Sequence, residues 1–301
     1  MRRVRPSRFV WHSIFPGAKV AEMHLSGCTP DIETRQSARG VRLNLREVHL
    51  WTVDLAQDDV AIDRCRGLLS RDEVQRADRF HFKQDQNRFI GARAAMREIL
   101  SKYLYVAPTK IAFSYAFCGK PELDGKLRES EIEFNLSHSH GIALVGVARK
   151  MRIGVDIEFV DSHIAIDEIS ARFFSAWERC ALHALPPEER IEGFFRCWTR
   201  KEAYIKALGN GLSIPLDRFE VEFGPATAAV SAPMENALFG PFCGRLYKVD
   251  SPRGYTAALA VEGGQHALRQ WEWKPGCEIA GCGIAKILAS GAPTPGVPAL
   301  R

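Results

Sequence analysis

The chain has 301 residues, 46% of them hydrophobic and 26% charged, with a formal net charge of +5. That is ordinary globular composition for one large domain or two modest ones. No apolar run reaches membrane-spanning length, and so dilute a positive charge argues for no nucleic-acid partner, though it suits an acidic partner or a phosphorylated ligand.

The opening stretch MRRVRPSRFVWHSIFPGAKV is basic but lacks the apolar core and small-residue cleavage site of a secretory signal. It reads as a loose basic tail, with a mitochondrial-type presequence as the alternative. Residues 1–44 are expected to form an irregular extension. The eight cysteines are scattered and contain no C-x-x-C pair. Cys277 and Cys282 are the closest two, and no partner set completes a zinc site. Reduced thiols in the cytoplasm are the simplest expectation.

From residue 45 the patterns become regular. VRLNLREVHLWTVDL (41–55) alternates apolar and polar residues, as a half-buried strand does. Ser70 with Glu73 three residues later forms a capping-box pattern opening a helix. A longer helix follows, with Phe89, Ala92, Met96, Ile99 and Leu100 at helical spacing. Short strand-like pieces come next: KIAFSYAF, EIEFNLS and IALVGVA. The succession then recurs. MRIGVDIEFV (151–160) reads as a strand, and Ser175 with Glu178 as a second capping box. A long helix is expected from about Pro187 to Leu208, stopped by Gly209. Strand-like FEVEF, GRLYKV, YTAALAV and LRQWEW close the set. Ser70 precedes Phe89 by the same number of residues as Ser175 precedes Phe194, which suggests a duplicated strand–helix–helix–strands unit. The halves are expected at 45–150 and 151–274, with a flexible Gly-, Ala- and Pro-rich tail at 275–301.

Two stretches of the second half carry chemistry. In GVDIE, Asp156 and Glu158 share one face of a strand, about 7 Å apart, while Val155 and Ile157 share the other. Two such carboxylates repel and raise one another's pKa unless solvated, and a divalent cation removes the problem. In WTRKEAYIKALGNGL, Trp198, Glu202 and Lys206 share one helix face. Glu202 supplies a third carboxylate, and oxygen ligands without His or Cys suggest Mg²⁺, which commonly bridges substrate phosphates. Trp198 is expected at the buried base of the face, with Lys206 reaching a phosphate or leaving oxygen. The bland alternative is a solvated strand edge plus an exposed Glu–Lys pair worth about 0.2–0.5 kcal/mol. It would prevail for either motif alone, and the two together weigh against it.

In NLSHSHG, His138 and His140 alternate as if facing one way. Ser137, His138 and backbone N–H groups suit an anion better than a metal, for which no further ligands stand at proper spacing. Lys120 lies beside a proline in a turn. Arg76, Arg79 and Arg88 offer the guanidinium fork that suits phosphate. The alternative for the arginines is ordinary solvated helix charge.

Together these motifs resemble the 4′-phosphopantetheinyl transferases, specifically the large single-chain group with two similar halves. The matching motifs are Gly154-Val155-Asp156-Ile157-Glu158 and Trp198-Thr199-Arg200-Lys201-Glu202-Ala203-Tyr204-Ile205-Lys206. They are preceded in family order by Gly119-Lys120-Pro121 and by Asn135-Leu136-Ser137-His138-Ser139. The resemblance spans roughly residues 45–262.

It implies an α+β fold of two pseudo-duplicated halves, each a small, mainly antiparallel sheet packed with a long helix, with the site between the halves. It implies coenzyme A as co-substrate and a serine of an apo acyl or peptidyl carrier protein as acceptor, serving fatty-acid, polyketide or peptide synthesis. Adenosine 3′,5′-bisphosphate would leave. Asp156, Glu158 and Glu202 would hold Mg²⁺. Glu202 or a metal-bound water would take the serine proton, and Lys206 would stabilise the leaving phosphate. Arg76, Arg88, Lys120, Ser137 and His138 would grip coenzyme A. Trp198 and Lys201 would be structural. With both halves in one chain, a monomer is expected. The rivals are a non-catalytic carrier-binding relative, a Mg²⁺-dependent phosphohydrolase and a nucleic-acid-binding protein.

Overall fold

A computed structural model describes residues 41–116, 119–209, 215–222, 228–231, 243–275 and 286–288. The alternating stretch near the start forms β1 (Glu47–Asp54). Three helices follow: α1 (Asp59–Arg66), α2 (Arg71–Ala77) and α3 (Lys83–Leu104). Glu73 accepts from both the backbone N–H and the hydroxyl of Ser70 at 3.0 Å, closing the expected capping box of α2. A small hairpin, β2 (Phe113–Tyr115) and β3 (Pro121–Leu123), precedes β4 (Ile132–Ser139) and β5 (Ile142–Arg149).

The second half opens with β6 (Ile153–Phe159), then α4 (Ile166–Phe173) and α5 (Ala176–Ala184), the latter capped by Ser175 and Glu178. The long helix expected from Pro187 begins as a short 3₁₀ turn, Pro187–Glu189, and continues as α6 (Arg190–Leu208). Gly209, with φ of +77°, ends α6 in the left-handed conformation that glycine adopts without strain. Among the described residues, β7 (Glu220–Val221), β8 (Ala228–Ser231), β9 (Gly244–Lys248), β10 (Tyr255–Glu262), β11 (Ala267–Trp273) and β12 (Lys286–Leu288) follow, the last two joining the sheet of β1.

The first sheet has the order β12-β11-β1-β5-β4 and the second β6-β10-β9-β8-β7, so the fold is α+β with mainly antiparallel sheets. One pair is parallel: β11 returns from the end of the second half to lie beside β1, Trp51 opposite Trp271. Residues expected in the tail from 275 onward also contribute, since Lys286–Leu288 pairs antiparallel with β11. Cys277 and Cys282 and the N-terminal extension through residue 40 lie outside the described residues.

The period of two explains the layering. Trp51 and Val53 of β1 face α3, where they pack with Met96, Ile99 and Leu100. Val48 and Leu50, alternating with them, face the second sheet and meet Val155, Ile157 and Leu259. The two sheets therefore pack face to face, while α3 covers the outer face of the first sheet and α6 that of the second. Among the described residues no helix is long and apolar enough to cross a membrane.

Candidate active site

Gly154 fixes the meeting of β6 with α6. A Cβ on this residue would run into the carbonyl oxygen of Ala203 and the amide of Ala207, and would lie 2.9 Å from the carbonyl carbon of Lys206. Only glycine lets the strand touch the helix backbone here. The contact brings two short sequence segments together. Asp156 and Glu158 share the face of β6 that carries Gly154, while Val155 and Ile157 enter the core between the sheets. Glu202 and Lys206 stand one helical turn apart on α6.

Asp156 is 2% exposed. Its Oδ1 accepts from the Lys206 ammonium at 2.6 Å and from the Ser137 hydroxyl at 2.9 Å. Ser137 in turn accepts from Lys206 at 2.9 Å, so the three form a closed triangle. Asp156 Oδ2 is buried and has no hydrogen-bond partner. Ser139 donates to Glu158 Oε2 at 2.9 Å. Burial first, and the Asp156 carboxylate second, push the Glu158 carboxyl up to about 8. Burial likewise lifts Glu202 to about 7, with Lys206 pulling it down and Asp156 adding repulsion. Burial acts to lower the Lys206 ammonium, but Asp156 and Glu202 outweigh it and hold the group above its ordinary value.

The edge of β4 serves as scaffold. Asn135, Ser137 and Ser139 alternate along it and point toward β6. Asn135 Oδ1 accepts from the Val155 N–H at 2.8 Å, and Ser139 Oγ accepts from the Phe159 N–H at 3.1 Å. Side chains thus satisfy donors on the outer edge of β6, which among the described residues has a strand partner only on its β10 side. Asn135 and Ser139 were not among the expected site residues. Their signal was the alternation Asn-x-Ser-x-Ser on a strand, which becomes informative only once that face is known to meet a neighbouring strand.

His138 lies on the other face of β4, the one where Phe134 and Leu136 pack toward α3, and it is exposed. His140 does not share that face. It occupies the β4–β5 turn with φ of +50°, its ring 4.7 Å from Phe159. Burial and the Arg88 charge hold its imidazole below the ordinary value, with Asp161 opposing. Arg88, on α3, therefore lies within electrostatic reach of the turn, and it pairs with Asp85 at 3.6 Å. Arg76 stacks its guanidinium 5.1 Å from the centre of Phe89, the residue after Arg88. Behind it, Arg93 and Arg97 converge on the buried Glu73 carboxylate, and Arg93 also donates to Tyr115 at 2.8 Å.

Ser137, expected as a free phosphate donor, is held by Asp156 and Lys206. The Lys120 ammonium donates to the carbonyls of Ile153 and Lys206 at 3.2 and 3.0 Å. Trp198, expected at a buried base, is half-buried, ringed by Phe173 and Phe194 at 5.6 and 6.1 Å. Lys201 is fully buried on Glu178 at 2.7 Å and donates to the carbonyls of Leu216 and Phe219 at 2.6 Å.

Among the described residues, no three His, Cys, Asp or Glu side chains stand close enough to enclose a metal ion. Lys206 is the cation that Asp156 meets instead. The donor set nonetheless fits a hard divalent cation. It is all oxygen, Asp156 keeps one orphaned buried oxygen, and the two glutamates are raised in part by repulsion that such a charge would relieve.

Two family models match the chain. Residues 152–260 match the 4′-phosphopantetheinyl transferase superfamily, and residues 57–151 match the 4′-phosphopantetheinyl transferase N-terminal model. The 4′-phosphopantetheinyl transferase HetI of a Nostoc species is 39% identical over 61% of this chain and 77% of its own length. The 4′-phosphopantetheinyl transferase Sfp of Bacillus subtilis is 33% identical over 53% of this chain and 68% of its own. The solved holo-acyl-carrier-protein synthase of Thermotoga maritima overlaps 40% of this chain and 68% of its own, at 19% identity and a TM-score of 0.31.

Proposed function

The chain belongs to the 4′-phosphopantetheinyl transferase superfamily, and on that premise we propose that it transfers phosphopantetheine from coenzyme A to a serine of an apo carrier protein. Adenosine 3′,5′-bisphosphate is the leaving product. The observation that carries this reading is Asp156, its one oxygen bound to Lys206 and Ser137 and its other orphaned, beside two carboxyls whose protons are held near neutral pH.

Asp156, Glu158 and Glu202 are the residues that would hold Mg²⁺, which when bound supplies charge neutralisation on the pyrophosphate. The chain's own groups do the rest. Glu202, whose carboxyl is lifted to about 7 in the metal-free protein and would be pulled back down by a bound cation, is the carboxylate placed beside Lys206 to accept the serine proton. Lys206 stays an ammonium at neutral pH and meets the negative charge that builds on the leaving phosphate. Arg76, Arg88 and His138 grip the nucleotide phosphates from the α2, α3 and β4 side. The β4–β5 turn, with Ser139 on Glu158 and His140 within reach of Arg88, is where the acidic and basic sides adjoin.

The test is incubation with coenzyme A, Mg²⁺ and a panel of apo carriers from fatty-acid, polyketide and peptide synthesis, read by intact-mass spectrometry. The expected outcome is a mass gain of one phosphopantetheine group, lost in Asp156→Ala. Release of inorganic phosphate without a carrier adduct would overturn the reading in favour of a phosphohydrolase.

A further inference from the structure

Lys120 sits in the turn of the β2–β3 hairpin, in the first half of the chain, yet its ammonium is bound to the second half. It donates to the carbonyl oxygens of Ile153, at 3.2 Å, and Lys206, at 3.0 Å. Ile153 immediately precedes Gly154, and the Lys206 carbonyl carbon is one of the atoms a Cβ on Gly154 would strike. The ammonium therefore spans the point where β6 and α6 come closest. That point fixes the separation of Asp156 and Glu158, on the strand, from Glu202 and Lys206, on the helix.

The chemistry suits such a clamp. The Lys206 carbonyl, in the last turn of α6, accepts a long bond of 3.3 Å from the Gly209 N–H, a donor shared with the Ile205 carbonyl. Its second lone pair is open to Lys120, and the helix end carries partial negative charge. An ammonium on a four-carbon stem carries three donors and reaches two carbonyls from a neighbouring element. The hairpin is itself anchored at this same turn end: Tyr115, the last residue of β2 and opposite Pro121, accepts from Arg93 of α3, which pairs with the buried Glu73. A chain of contacts thus runs from α2 and α3 through the hairpin to the β6–α6 contact.

We propose that Lys120 is a positioning residue that clamps β6 to the end of α6 and so sets the spacing of the carboxylates and Lys206, rather than a ligand of the coenzyme A phosphates. The inference rests on the transferase reading above. It predicts that Lys120 acts on the chemical step while leaving coenzyme A binding almost untouched.

Two readouts test it. In steady-state transfer to an apo carrier, Lys120→Met should lower kcat roughly 10- to 100-fold, the scale expected when reacting groups are misplaced, with the KM for coenzyme A within about twofold. Lys120→Arg, which keeps charge and donors, should recover part of the rate. In hydrogen exchange of the free protein, without coenzyme A or metal, the amides of Ala203–Leu208 should exchange at least about tenfold faster in Lys120→Met. A raised KM for coenzyme A with kcat unchanged would overturn the clamp and return Lys120 to phosphate binding, and so would unaltered exchange in α6. If Lys120→Met is recovered unfolded, the same readouts are taken on Lys120→Gln, whose shorter neutral side chain keeps polarity but falls short of the carbonyls. A wild-type protein that modifies no carrier overturns the transferase reading instead, and the exchange result then decides the clamp by itself.

Discussion

Glu158 gives the clearest single-residue test, because its carboxyl is raised from 4.5 to about 8 by burial first and Asp156 second. Folding therefore takes up a proton. In the metal-free protein the stability tied to this group is fully present below its unfolded pKa and is lost as pH rises through about 8. Glu202 behaves likewise, but its loss is largely complete by about 7. Urea midpoints measured without metal should fall between pH 7 and 8 in the wild type and stay level in Glu158→Gln, and Mg²⁺ should restore the wild-type midpoint at pH 8. Identical slopes in the two proteins would remove Glu158 from the buried acidic cluster. The two motif lysines should separate just as sharply. Lys206→Met is expected to lose kcat with little change in the KM for coenzyme A, and Lys206→Arg to regain part of it, since the planar fork keeps the charge but not the point geometry. Lys201→Met removes the cation paired with Glu178 in a fully buried pair, and should destabilise by about 3–5 kcal/mol, the usual cost of leaving a buried charge alone. Chemical denaturation and steady-state rates of both variants check the contrast. Since Lys206 also pairs with the buried Asp156, the decisive outcome is kcat, and a Lys206→Met that keeps its kcat or a Lys201→Met that keeps its stability would reverse the two roles.

At the scale of elements, the strand–helix contact at Gly154 carries the site. Gly154→Ala adds one methyl group against the backbone of α6, which, unlike a side chain, has no other rotamer to take. A cost of about 1–3 kcal/mol or more is expected from such overpacking, together with a fall in transfer rate, because the strand bearing Asp156 must shift. Gly264→Ala, where an added Cβ meets nothing within 4 Å, is the control and should be near neutral. Thermal melts of the pair decide the point. Much of this element was legible in sequence. The alternation Val-Asp-Ile-Glu assigned the two faces of β6, the spacing of Glu202 and Lys206 gave one face of α6, and the Ser-x-x-Glu pairs marked the starts of α2 and α5. Those signals are local, and a period of 2 or 3.6 reports them. What stayed hidden depended on partners distant in the chain. Nothing in Asn135 or Ser139 says that they will cap the edge of β6, and nothing in Lys120 says that its ammonium will bind the carbonyl of Lys206. The helix α4 was missed because it is only eight residues long and has no side-chain cap at its start.

For the whole molecule, the decisive feature is the parallel pairing of β11 with β1, which no periodicity in either strand announces. The two halves suggested by the recurring motifs are thereby interlocked. A first half ending near residue 150 would leave one edge of β1 without its partner and would lose Trp273 from the core that α3 covers. It would also expose Val48, Leu50 and Leu144, which pack on Ile153, Val155 and Ile157 of the second sheet. Such a fragment has β1 exposed as an edge strand, paired on its β5 side alone, and an uncovered apolar face, the combination that promotes aggregation. The chain is therefore expected to unfold as one unit. The tryptophans supply the probes, since Trp51 lies in the first core and Trp198 on α6 against Phe173 and Phe194. In variants where Trp51 or Trp198 is the single tryptophan left of the six, urea unfolding followed by fluorescence should give midpoints that agree, within each variant, with the loss of helical circular dichroism, as two-state behaviour requires. A fluorescence transition separated from the loss of circular dichroism in the same variant would mean that each half is stable alone. The β1–β11 pairing and the shared face between the sheets would then contribute far less to stability than their burial implies.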